Sequence, residues 1–181
     1  MTTSFDIRII GSEYSARAVD LVLPIQQLEF NIPITAADQP DLLDIDEYYH
    51  SKGGCFWGAF AGEQLVGTIA MLYVGHHTGV IRKMFVAKHY RGKEYGIATS
   101  LLQTLVAFAK KNGLTHLYLG TIDVLKAALR FYERNGFTPV EKSMLPEWFP
   151  LMAGDNTFYR LELLLQSGDG VATEKKGLTR V

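Results

Sequence analysis

The chain has 181 residues, 48% hydrophobic and 20% charged, the balance of one soluble globular domain long enough to bury a core without staples. Its 18 lysines and arginines against 19 acids leave a formal charge of -1 at pH 7, which excludes a global field drawing it to nucleic acid or a membrane surface. The lone cysteine, Cys55, excludes an internal disulfide, Met1 to Asp6 reads without the basic and apolar regions of a signal peptide, and no apolar run reaches membrane length, so a cytoplasmic protein is expected.

Phe5 to Ile10 alternates apolar and polar residues and predicts a strand. Ala16 to Phe30 carries Val19, Leu21, Val22, Leu23, Ile25 and Leu28 and predicts a helix disturbed at Pro24, whose ring lacks a donor and crowds the preceding turn. Ile32 to Asp41 holds Pro33 and Pro40 and reads as a loop; Asp41 to His50 reads as a short helix with Leu42, Leu43 and Ile45 inward. Cys55 to Ala61 and Leu65 to Val74 are β-rich runs joined by Gly62-Glu63-Gln64, which predicts a hairpin. After the turn residues Gly75-His76-His77-Thr78, Gly79 to Val86 is a third run, so the middle of the chain predicts an antiparallel meander.

The period then changes. Ala98, Leu101, Leu102, Leu105, Val106 and Ala109 recur at helical spacing, and Lys110-Lys111-Asn112-Gly113 ends that helix with cations and a capping glycine. Leu117 to Thr121 predicts a short strand, Val124 to Asn135 a helix ended by Gly136, and Thr157 to Leu165 a last strand. Gln166 to Val181 is polar and predicts a disordered tail. The expected organisation is one domain over residues 1–166 and a tail over 167–181. The fold class is an α/β (α+β) sandwich, its mixed, mostly antiparallel central sheet flanked by helices. The run Gly79–Val86, the helix Gly96–Asn112 and the run Leu117–Thr121 supply a candidate parallel unit.

The segment from Val80 to Ala98 carries the clearest chemistry. A strand leads through a basic, glycine-bearing loop, Tyr90-Arg91-Gly92-Lys93-Glu94-Tyr95-Gly96, into a helix that opens at Ile97-Ala98-Thr99. A helix N-terminus offers unpaired N–H groups and a positive partial charge, and glycine lets an anion approach the backbone. Arg82, Lys83, Lys88, Arg91 and Lys93 add charge to the same segment. Spacing alone leaves open a solvated basic loop before an ordinary helix.

This segment resembles the acyl-CoA-binding motif of the GNAT superfamily. Phe85-Val86 matches the end of its splayed strand, Tyr90-Arg91-Gly92 the entry to its Arg/Gln-x-x-Gly-x-Gly/Ala loop, and Gly96-Ile97-Ala98 the start of its helix. Arg91 lies five residues before Gly96 where the family spacing is three, so either Glu94 and Tyr95 are extra or Lys93 holds the first motif position. A second stretch, Ala127-Ala128-Leu129-Arg130-Phe131-Tyr132-Glu133-Arg134-Asn135-Gly136-Phe137, is similar to the family's later helix and turn. The resemblance implies acetyl-CoA as co-substrate, held by Phe85, Val86, Arg91, Gly92, Lys93, Gly96, Ile97, Ala98 and Thr99. It implies a backbone N–H near Phe85 or Val86 as oxyanion donor and Tyr132 as the acid that protonates the leaving thiolate. The asparagine that often precedes the later helix has no counterpart in Asp123-Val124-Leu125. No metal is expected, since His76-His77 has no further ligands at suitable spacing.

The expected reaction is direct attack of a primary amine (small amine, amino acid or peptide N-terminus) on a thioester; a non-catalytic acyl-CoA sensor or scaffold is the alternative. Glu29, His50, His76 and His77 are the candidates for the general base, while Cys55 reads as a small buried hydrophobe. Between Ala18 and Ser51 there are seven acids (Asp20, Glu29, Asp38, Asp41, Asp44, Asp46 and Glu47) and no lysine or arginine. In the resembled fold this region lies over the acceptor channel, where a negative wall would draw a cationic amine; solvated helix caps are the other reading. A homodimer is expected only by analogy with the family.

Overall fold

The computed structural model of the protein describes residues 4–164; the expected tail, 167–181, lies outside them. Seven strands form one sheet: β1 Asp6–Ile9, β2 Cys55–Ala61, β3 Gln64–Tyr73, β4 Thr78–Val86, β5 His116–Thr121, β6 Thr138–Val140 and β7 Thr157–Glu162, in the order β1-β2-β3-β4-β5-β7-β6. The helices are α1 Ser15–Pro24, α2 Pro40–Leu43, α3 Ile45–Tyr48, α4 Ile97–Lys111 and α5 Lys126–Arg134. Every strand pair is antiparallel except β4 with β5, which α4 connects.

Apolar packing covers both faces of the meander. On one face Trp57, Ile69 and Met71 meet Leu101 and Leu105 of α4; on the other Phe56, Phe60 and Ala70 meet Val22, Leu42, Ile45 and Tyr49. A strand covered on both faces reads as a continuous apolar run rather than an alternating one, which is why Cys55-Phe56-Trp57-Gly58-Ala59-Phe60 is buried throughout. Cys55 sits in this core, and burial pushes its thiol up to about 11.

Three elements differ from the sequence expectation. The helix disturbed at Pro24 is present, and its final turn, Ile25–Glu29, is π-helical, the wider turn relieving the proline. The single helix expected over Asp41 to His50 is two one-turn helices, because the Asp44 side chain accepts the Glu47 N–H and starts α3 afresh. The edge strand β6 is new; three residues around Pro139 are too few to show a period.

The functional geometry follows from two irregularities in β4. It pairs with β5 only over Thr78–Val80, opposite His116–Tyr118, although β4 continues to Val86 and β5 to Thr121. Beyond Val80 no ladder joins them. On the other edge the β3–β4 register slips between Thr68 and Ala70. Lys83 absorbs the extra residue at φ 51, and its carbonyl accepts the Thr68 hydroxyl at 2.7 Å. Such a bulge re-aims the strand beyond it.

A buried polar cluster lies under the bulge. The Lys83 ammonium donates to Gln39 Oε1 at 2.7 Å and sits 3.5 Å from the Asp41 carboxylate, which also accepts the Tyr49 hydroxyl at 2.6 Å. Gln26 and Gln39 exchange amide hydrogen bonds at 2.9 and 3.0 Å. The side chains of Lys83 and Asp41 are 6% and 7% exposed. Burial pulls the Lys83 ammonium below its ordinary range and Asp41 opposes that pull. The cluster ties the π turn, α2 and α3 to β4.

Candidate functional site

Where β4 leaves β5, a cleft of about 610 Å³ opens between the end of β4, the start of α4 and α5. Phe85, Val86, Arg91, Gly92, Lys93, Gly96, Ala98, Thr99 and Tyr132, all singled out in the sequence, line it together. Ile97 differs: its side chain is 2% exposed and belongs to the core, so only its backbone can face a ligand.

The loop geometry suits an anion. Gly96, the residue before α4, adopts φ 68, where a side chain would be strained. Its carbonyl accepts the Ser100 N–H at 3.0 Å, and the N–H groups of Ile97, Ala98 and Thr99 belong to the first helical turn, which has no intrahelical acceptors for them. The Arg91 guanidinium donates to both Glu29 carboxylate oxygens, at 2.8 and 2.9 Å, and to the Val86 carbonyl at 2.7 Å. Lys93 makes no ion pair within 4.0 Å among the described residues. The cation left available at the loop is therefore the one three residues before Gly96. Arg82 and Lys83, counted in the sequence with the basic loop, face elsewhere.

Tyr132 is buried among Phe131, Phe137 and Tyr159, with ring centroids 5.8, 5.5 and 6.2 Å away. Tyr132 and Met84 both line the cleft, and the Tyr132 hydroxyl donates to the Met84 sulfur at 3.4 Å, a weak acceptor. Burial alone raises the phenol well above its ordinary value, so it keeps its proton across the neutral range. Glu133, next in the motif, accepts the Tyr159 hydroxyl at 2.7 Å and fastens α5 to β7.

A second cleft, about 190 Å³, lies on the other side of β4 and is lined by Gln26, Gln39, Arg82, Lys83 and Asp155 among apolar walls. The two clefts share Phe85 and Leu125 and so meet at the end of β4. None of the expected base candidates lines either one. Glu29 is held by Arg91, the His50 ring bonds the Ile10 carbonyl at 2.8 Å, and His76 stacks on Trp148 in the turn before β4, with His77 beside it. The seven acids of the 18–51 segment do not line the clefts either. Asp41 is spent on Lys83, Glu29 on Arg91, Asp38 on Thr35 and Asp44 on the cap of α3.

The titratable group that sequence reading missed is Asp155. It sits in an irregular turn with no periodicity to mark it, and burial in the cleft pushes its carboxyl up to about 6 against the pull of Arg82 and Lys83. Among the described residues no group of three or more metal-ligating side chains converges, and no helix is long and apolar enough to cross a membrane.

The sequence profile of the Acetyltransferase (GNAT) family matches residues 20–137. The N-acetylaspartate synthetase of Danio rerio is 39% identical over 102 residues, 55% of this chain and 36% of that protein. The chain spans about a third to a half of the length of the curated relatives it matches. The crystal structure of a GNAT-family acetyltransferase from Staphylococcus aureus superposes with a TM-score of 0.85 at 36% identity, covering 89% of this chain and 100% of the other. PaiA N-acetyltransferase from Thermoplasma acidophilum, solved with coenzyme A, shares the fold at a TM-score of 0.69 and 17% identity, covering 88% and 99%.

Proposed function

Because the chain belongs to the GNAT acetyltransferase family, we propose that it transfers an acetyl group from acetyl-CoA to the primary amine of a small molecule by direct attack. The observation that carries this reading is the divergence of β4 from β5 into a cleft whose far end is the unpaired first turn of α4. The residues present fit the co-substrate. The first-turn N–H groups of α4 and the Lys93 ammonium suit a pyrophosphate. The β4 edge released beyond Val80 suits an amide-bearing arm, and the apolar walls at Met84, Leu125 and Phe131 suit its methylene chain.

Acetyl-CoA supplies an activated acyl group; the protein supplies position and protons. A backbone N–H at Phe85 or Val86 faces the developing oxyanion, where one such donor is worth about 3–4 kcal/mol. Tyr132 gives its proton to the departing sulfur, and no covalent enzyme intermediate forms. The second cleft admits the amine toward the junction at Phe85 and Leu125. We place the reaction in the cytoplasm, a reading supported by the buried, unpaired Cys55, and give acetyl transfer no metal.

Ligand-dependent stability tests this reading. Coenzyme A at about a hundredfold over its dissociation constant should stabilise the fold by ~2.7 kcal/mol, and ATP or NAD at the same concentration by less. Gly96→Glu should abolish the coenzyme A shift, because it strains the backbone at φ 68 and brings a negative side chain to the anion site. Equal shifts with all three ligands, or an unaltered coenzyme A shift in the variant, would contradict it.

A further inference from the structure

We infer that the second cleft is a site for a free α-amino acid, with Arg82 taking its carboxylate and Asp155 receiving its amine. The inference rests on the acetyltransferase reading and names the acceptor class for it.

The charges in the cleft divide by how they are satisfied. Lys83 is spent within the protein, on Asp41 and Gln39. Arg82 is not neutralised: its guanidinium lies beside the Tyr49 hydroxyl and donates a long hydrogen bond, 3.5 Å, to the Pro150 carbonyl, but it forms no ion pair among the described residues. Asp155 faces the same cleft and also lacks an ion-pair partner there. The two groups are close enough for Arg82 to lower the Asp155 carboxyl, yet they do not touch within 4.0 Å. A guanidinium and a carboxylate held apart in one small apolar cleft match a ligand with an anion and a cation a few bonds apart. An α-amino acid is the simplest such ligand, and a guanidinium fork fits its carboxylate bidentately.

The site is built rather than incidental. Gly120 on β5 makes room for Asp155, since a side chain there would collide with the carboxylate. The bulge at Lys83 sets Arg82 and Phe85 on one side of β4, so the guanidinium faces the cleft whose mouth reaches the acetyl-donor cleft at Phe85 and Leu125. Asp155, ionised at neutral pH, can attract the ammonium and take a proton as the amine attacks. A peptide N-terminus and an amino-acid amide lack the carboxylate beside the amine and would leave the half-buried Arg82 without an anionic partner.

The experiment compares acetyl-CoA turnover of each coded amino acid with that of its amide and its decarboxylated amine. The best amino acid should exceed both in kcat/KM by about 10–100-fold. Arg82→Gln should lower its kcat/KM toward the amide's, and Arg82→Lys should restore part of the loss. Melting and coenzyme A titration of each variant separate a fold defect from a site defect. Amides or plain amines turned over as fast as amino acids would overturn the inference and leave the acetyltransferase reading standing. If coenzyme A binds and no amine of any class is acetylated, the acetyltransferase reading fails instead. Calorimetry of the amino acids on the coenzyme A-saturated protein then decides the site: binding lost in Arg82→Gln upholds it, and absence of binding overturns it.

Discussion

Tyr132→Phe is expected to slow acetyl transfer by about 10²–10⁴-fold while acetyl-CoA affinity and melting temperature stay near wild type. The substitution keeps the ring, its packing against Phe131, Phe137 and Tyr159, and the helix; it deletes only a hydroxyl whose partner is the Met84 sulfur at 3.4 Å. A thioether is a poor acceptor, so little ground-state energy is lost. A thiolate is a far better one, and a phenol kept neutral by burial still has its proton to give when the carbon–sulfur bond breaks. A bond made mainly in the transition state lowers turnover without changing affinity. Single-turnover kinetics, a coenzyme A titration and a melt separate the cases. Wild-type chemistry with a lowered melting temperature would make Tyr132 a packing residue.

Asp41→Ala is expected to cost about 3–5 kcal/mol of stability, the range for removing one partner of a buried ion pair. The loss strands the Lys83 ammonium, 6% exposed, with Gln39 as its remaining partner and leaves the Tyr49 hydroxyl without its acceptor. Total stabilities run to only about 5–15 kcal/mol, so the variant should unfold at much lower urea. The double substitution Asp41→Leu with Lys83→Met should recover much of the loss, because it removes both charges together. A single variant within about 0.5 kcal/mol of wild type would show that the cluster does not hold the bulge.

The frame of the fold was legible because long elements carry a period. The α4 stripe from Leu101 to Ala109, the meander and the glycine stops at Gly113 and Gly136 appear where the pattern places them. Gly96 was legible for a local reason: few residues other than glycine enter a helix from a left-handed backbone. The second cleft was not. Gln26, Gln39, Asp41, Tyr49 and Lys83 come from four separate segments and are joined by packing, so no spacing in the chain records their meeting. The acid-rich 18–51 segment shows the same limit, because charge along a chain does not say which carboxylates are already paired. Arg82 and Lys83 look like part of the phosphate loop until the bulge and the alternation of β4 turn them to the other cleft. Asp155 lies in a turn, where position alone gives a residue its role.

The proposed reaction is acetyl transfer from acetyl-CoA to an amine at the junction of the two clefts. Its most direct measurement follows free thiol release and acetylated amine together, starting from acetyl-labelled acetyl-CoA and an amine series. The account predicts one thiol released for each labelled amide formed, with both signals reduced together by Tyr132→Phe. Thiol release without labelled amide, or tight acetyl-CoA binding with neither product across the whole series, would contradict it.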